Sequence, residues 1–139
     1  MIRTAIPSQL EEVPAVVEAV VGAVEAVGGY EDRTLFAIRL AVDEALTNAI
    51  RHGNGQDPDK QVTVAYEATG DRLTITVCDE GPGFAPEDLP DPTAVENLIR
   101  THGRGVMLMH AYMTEVSFND RGNCVTLVKS RDCPKPTED

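Results

Sequence analysis

The sequence predicts an α+β fold, a two-layer α/β sandwich with a mixed, mostly antiparallel sheet of about five strands and about three helices on one face. Three observations predict it. Valines spaced for one helix face run from Val13 to Val27. Two alternating segments, Val62–Tyr66 and Leu73–Val77, flank the turn-forming "ATGD" at 68–71. The overall order reads strand, two helices, two strands, helix, two strands, and hairpins in that order favour a sheet covered by helices.

Residues 2–6 read as a short edge strand stopped by Pro7. "SQLE" at 8–11 fits a capping box, with Ser8 as N-cap and Glu11 reaching back to its amide. Val13, Val16, Val17, Val20, Val21, Val24 and Val27 then form a helical stripe. Valine is a mediocre helix former, but packing of such a stripe carries most helix stability. Pro14 shifts the start by a turn, and Gly28-Gly29 ends the helix. The second helix begins near Glu31 or Asp32, acids suited to its positive end. Its stripe is Leu35, Ile38, Val42, Ala45, Leu46 and Ala49, and "HGNGQDPDK" closes it. After the 62–77 hairpin comes a Pro- and Asp-rich loop from Gly81 to His102, longer than most connections and so a lid or a disordered segment. A helix from about Arg104 to Met113 follows. Val116 and Phe118, then Val125 and Leu127, form a last hairpin turned by "NDRGN". One domain over residues 1–132 and a flexible tail at 133–139 account for the chain.

Twelve Lys and Arg against 23 Asp and Glu give a net charge of −11. Such a field argues against direct nucleic-acid binding and suits a basic protein partner. An anionic ligand must then be held by a local device. Cys78, Cys124 and Cys133 lack metal-ligand spacing and read as reduced thiols of a cytoplasmic protein. No apolar run approaches a membrane span, so no membrane partner is expected.

Three segments carry chemistry. Glu44, Asn48 and His52 recur at four-residue steps, which aligns them along one helix edge beside the apolar stripe. Alone, that is also the pattern of a solvated helix edge. "VCDEGPGF" places Asp79 at a strand end, followed by Gly81 and Gly83. A carboxylate there can accept from an exocyclic amine such as that of adenine, and glycines permit positive φ and close approach. Alone, it is also a plain turn. In "HGRGVMLM", Gly103 and Gly105 precede an apolar helix and free its first amides for an anion, while Arg104 can pair with a phosphate. Alone, it is also a flexible helix start.

Taken together, "DEALTNAIRHG", "DEGPGF" and "GRGVMLM" resemble, in order and separation, the N, G1 and G2 boxes of the GHKL (Bergerat-fold) ATP-binding superfamily. Within it the chain looks like the small anti-sigma-factor serine/threonine kinases. The element order supports the likeness over roughly residues 3–130. A Walker-type G-x-x-x-x-G-K-[ST] and an H-R-D loop are both absent from the sequence.

The resemblance implies ATP and Mg²⁺ as ligands. It implies that Asp79 reads the adenine amine, with Gly81 and Gly83 admitting the base and sugar, and that Asn48 gives an oxygen to Mg²⁺. It assigns catalysis to Glu44, which would orient or deprotonate a serine hydroxyl, and to Arg104, which would stabilise charge at the γ-phosphate. Gly103 and Gly105 would meet the phosphates. His52 and His102 are adjacent candidates for nucleotide contact. The implied partners are a STAS-type anti-anti-sigma protein as substrate and a sigma factor held inactive, with a homodimer paired at the N-terminal strand edge as a further expectation. The competing readings are a non-catalytic ATP-binding sequestration module and a stand-alone histidine-kinase-like ATPase domain.

Overall fold

The computed structural model describes residues 1–81, 109 and 112–131. Its strands are β1 (Ile2–Pro7), β2 (Gln61–Ala68), β3 (Arg72–Cys78), β4 (Glu115–Phe118) and β5 (Cys124–Ser130). Two α-helices, α1 (Val13–Val27) and α2 (Asp32–Asn48), stand between β1 and β2. The sheet order is β1-β2-β3-β5-β4, and each of these neighbouring pairs is antiparallel. The predicted α+β sandwich is the observed architecture.

Period-two alternation fixes which face of the sheet is inside. Val62, Val64 and Tyr66 on β2, Leu73, Ile75 and Val77 on β3, and Val125 and Leu127 on β5 are all buried. The register puts Val64 opposite Val77, Ile75 opposite Leu127 and Val77 opposite Val125, so these side chains share one face. Against it pack Val13, Val16, Val17, Val20, Val21 and Val24 of α1 and Ile38, Val42, Ala45 and Leu46 of α2. Val27 departs from the expected stripe: it is 42% exposed at the last position of α1, where Gly28 at φ 83° turns the chain away. Arg39 pairs with Glu18 across the exposed side of the two helices.

Two expectations are corrected. Ser8 does not cap a helix. Its hydroxyl donates to Lys60 O at 2.9 Å, because Pro7 pairs with Gln61 and brings the end of β1 against the start of β2. A single 3-10 turn, Leu10–Glu12, then leads into α1 with Pro14 in its first turn, the delay that this proline predicts. Nor are Cys78 and Cys124 separate thiols: they face each other across β3 and β5 with Cα atoms 4.0 Å apart and are joined as a disulfide. Each strand was readable by itself, but the rung that pairs two residues 46 positions apart was not.

Of the predicted Arg104–Met113 helix, Met109 and Tyr112 are helical and Met113 N donates to Met109 O at 3.0 Å. The rest of that helix, the Gly81–His102 loop beyond Gly81, and the 133–139 tail lie outside the described residues.

Candidate functional site

The site forms where α2 ends above the adjoining ends of β3 and β5. Ala45, Leu46 and Ala49 are buried, which turns the edge carrying Asn48 toward the sheet. Beyond Asn48 the helix widens into a π-helical turn, Ala49–Gly53. Asn54 N accordingly donates to Ala49 O at 2.9 Å, five residues back. The wider turn sets Gly53 directly on the carboxylate of Asp79. A Cβ at Gly53 would lie 2.2 Å from Asp79 Cγ, and one at Gly81 would lie 1.8 Å from Gly53 O. Gly81 does not have the positive φ that the D-x-G-x-G pattern suggests; the close approach of Gly53 O is what requires a glycine there.

Asp79 is held through its backbone and one carboxylate oxygen. Gly81 N donates to its Oδ1 at 2.8 Å. Asp79 N donates to Asn123 O at 2.8 Å, and Asn123 Nδ2 donates to Asp79 O at 3.0 Å. Burial pushes the Asp79 carboxyl above the ordinary aspartate range, opposed by the Gly81 amide and by the charges of Arg121 and Lys60. Behind it, Asn54 is buried and fully engaged. Its Oδ1 accepts from Glu80 N at 2.7 Å, and its Nδ2 donates to Ser8 Oγ at 2.7 Å and Gln61 O at 3.0 Å. One amide therefore ties the Asp79–Gly81 turn to β1 and β2.

Asn48 and Asp79 line one cleft, together with Ala49, Val77, Phe118 and Asn123. The wall opposite α2 is the β4–β5 hairpin. There Asn119 Oδ1 accepts from Gly122 N, Asn123 N and Cys124 N at 2.8, 3.0 and 3.1 Å, and Gly122 adopts φ 79°. Glu44 lies one turn before Asn48 and is partly buried. Burial raises its carboxyl above the ordinary range; Asp43 adds to this and Arg51 opposes it. His52 is exposed on the π-helical turn. Gly83, His102, Gly103, Arg104 and Gly105 lie outside the described residues. Sequence reading passed over Gly53, Asn54 and Asn123. The signals were the "HGN" after Asn48 and the final "GN" of the hairpin turn, whose partners are far away in the chain.

The cleft fits a ligand with an amine-bearing ring and anionic groups. Asn48 Nδ2 is buried with no hydrogen-bond partner, so the floor offers an unused amide. Asp79 keeps acceptor capacity beyond its bond to Gly81 N. Among the described residues no three His, Cys, Asp or Glu side chains are grouped to hold a metal ion. A magnesium ion there would take oxygen from Asn48 and the remainder from phosphates and water, its usual habit.

Residues 6–129 match the histidine kinase-like ATPase domain. The chain belongs to that family. Histidine kinase-like ATPase domains bind ATP. Among curated proteins, this ATPase-domain chain is similar to the serine-protein kinase RsbW of Bacillus subtilis (strain 168), with 30% identity over 135 residues, 92% of this chain and 84% of the relative. The serine-protein kinase RsbW of Bacillus licheniformis is 32% identical over 108 residues, 73% of this chain and 68% of the relative. That of Listeria innocua is 29% identical over 108 residues, with 73% and 69% covered. No helix among the described residues is long and apolar enough to cross a membrane.

Proposed function

We propose that this protein is a magnesium- and ATP-dependent serine/threonine kinase that phosphorylates an anti-anti-sigma protein of the STAS type and, in the alternate partnership, sequesters a sigma factor in the cytoplasm. The observation that carries the reading is the lining of one cleft of a histidine kinase-like ATPase domain by Asp79 and by Asn48, whose Nδ2 is buried without a partner. Similarity to a serine-protein kinase over 92% of the chain supports the choice of reaction.

On this reading Asp79 accepts a hydrogen bond from the adenine amine, its position set by Gly53, Gly81 and Asn123. Asn48 would hold the metal through its side-chain oxygen. Magnesium, when bound, neutralises charge on the phosphates in transfer. Glu44, one turn away on the same edge of α2, faces the acceptor hydroxyl and takes its proton as the phosphoryl group moves. A carboxyl raised above its ordinary range by burial is the better base for that task near neutral pH. The amides of Gly103 and Gly105 would meet the phosphates and Arg104 would stabilise charge at the γ-phosphate, and His52 and His102 remain nucleotide-contact candidates.

The test is incubation with labelled ATP and candidate STAS proteins, followed by mapping of the labelled residue. Label on a serine or threonine of the partner supports the reading, and label on a histidine defeats it. Glu44→Gln should bind nucleotide as the parent does and lose at least about a hundredfold in transfer rate. Full transfer by that variant removes Glu44 from the chemistry.

A further inference from the structure

We propose that Cys78 and Cys124 form a reversible thiol–disulfide site that sets the nucleotide affinity of the cleft, with a dithiol protein reductant as its exchange partner. The inference rests on the nucleotide-binding role given above to the cleft around Asp79.

Its position singles the pair out. Cys78 and Cys124 occupy the last rung of the β3–β5 ladder. The next residues outward, Asp79 and Asn123, exchange the two hydrogen bonds that fix Asp79. Beyond that rung the strands part: β3 runs into the Asp79–Gly81 turn, and β5 leads back to the hairpin whose Phe118, Gly122 and Asn123 form the cleft wall. The covalent link therefore joins the floor that bears the carboxylate to the wall that closes over it. Without the link, that junction is held by the Asp79–Asn123 bonds and the neighbouring rungs alone. A wall fixed before binding spares the ligand the ordering cost, so the oxidised form binds more tightly.

The pair is also reachable. Val77 and Val125 point into the core beneath the helices, so their neighbours Cys78 and Cys124 point to the opposite face of the sheet. Both are only partly buried, and neither α1 nor α2 lies on that face. Phe118 and Asp79, by contrast, are on the cleft side, which Cys124 also borders, so a reductant approaches the sulfurs from the sheet face opposite the helices.

The exchange balances. A thiolate of the reductant attacks one sulfur of the bridge and expels the other cysteine as a thiolate. The second thiolate of the reductant then resolves the mixed disulfide. Cys78 and Cys124 end as thiols carrying two protons, and the reductant ends as a disulfide, two electrons having moved. A low-molecular-weight disulfide such as oxidised glutathione reverses the step. In a reducing compartment a disulfide of this kind is transient and therefore suited to sensing.

The experiment uses the full chain carrying Cys133→Ser, so that the pair supplies the only thiols. One portion is treated with oxidised glutathione and one with dithiothreitol, and each is titrated with ADP by calorimetry. Peptide mapping of the oxidised portion should recover Cys78 linked to Cys124. The reduced portion should bind ADP at least roughly fivefold more weakly. The Cys78→Ala/Cys124→Ala variant should match the reduced portion under both treatments. Equal tight binding in the two redox states, or no linked peptide after oxidation, overturns the inference and leaves the nucleotide site standing. Absence of ADP binding in both portions overturns the nucleotide site itself, and this inference with it.

Discussion

At the scale of single residues, the site shows a carboxylate kept where it is costly to keep one. The folded-state pKa of Asp79 is raised by burial above its ordinary value of 3.8. Between those two values the folded chain holds a proton that the unfolded chain has released. The ligand-free protein is thus most stable at or below pH 3.8 as far as this group is concerned, and that contribution is lost as pH rises through the raised value. Asp79→Asn removes the charge but keeps an oxygen to accept from Gly81 N. Its melting temperature without nucleotide at neutral pH should equal or exceed that of the parent. Its nucleotide affinity should fall at least roughly tenfold, because a donor replaces an acceptor at the ring amine. Calorimetric melting beside nucleotide titration reads both effects, and a variant that melts lower while binding normally would show Asp79 to be structural. Asn54 makes the opposite case, a polar side chain fully repaid by its partners. Asn54→Ala strands Glu80 N, Gln61 O and one acceptor position on Ser8. A loss of about 2–3 kcal/mol, read from urea midpoints, is expected. A loss below about 0.5 kcal/mol would mean that water takes over those partners.

At the scale of elements, what could be read in advance was what repeats locally. The valine stripe of α1, the Leu35–Ala49 stripe of α2 and the alternation in β2, β3 and β5 all announce buried faces, and the faces are buried apart from exposed Val27 and partly buried Leu35 at the helix ends. The "NDRGN" turn sits where its residues place it, between β4 and β5. What escaped depends on partners distant in sequence. Ser8 has the pattern of an N-cap, but Lys60 O, 52 residues away, captures its hydroxyl. Gly53 looks like a helix terminator, yet its role is to accept the Asp79 carboxylate against its backbone. Within the site, the helix edge with Asn48 and the strand end with Asp79 were legible because each lies in a periodic element. Their supports were not, because the "HGN" and "GN" that carry them do not reveal partners distant in the chain. The same distinction predicts energetics. Ile75 sits at the centre of β3, fully buried between β2 and β5, so Ile75→Ala should cost about 2–5 kcal/mol. Glu18→Ala breaks the exposed pair between α1 and α2, and should cost less than about 1 kcal/mol. Chemical denaturation of the two variants checks the ranking, and a larger loss for Glu18→Ala would mean that the helix pair, not the sheet, limits stability.

At the scale of the whole molecule, the net charge of −11 bears on partner exchange rather than on the fold. If the substrate is a serine or threonine on a partner protein, transfer adds about −1.5 to −2 charges at the contact surface. An acidic kinase then repels its own product, and release favours the alternate partner without any change in shape. Fields of this kind are screened over about 8–10 Å at ordinary ionic strength, whereas contacts at the modified hydroxyl are not. The two origins of discrimination therefore separate in a salt titration. The ratio of affinities for unphosphorylated over phosphorylated partner should shrink as salt rises from about 0.05 M to about 0.5 M, because only the repulsive share is screened. The shrinkage should come mainly from faster association of the phosphorylated partner, with less change for the unphosphorylated one. A ratio that holds constant across the titration assigns discrimination to short-range contacts around the acceptor residue, and the acidic surface then serves solubility alone.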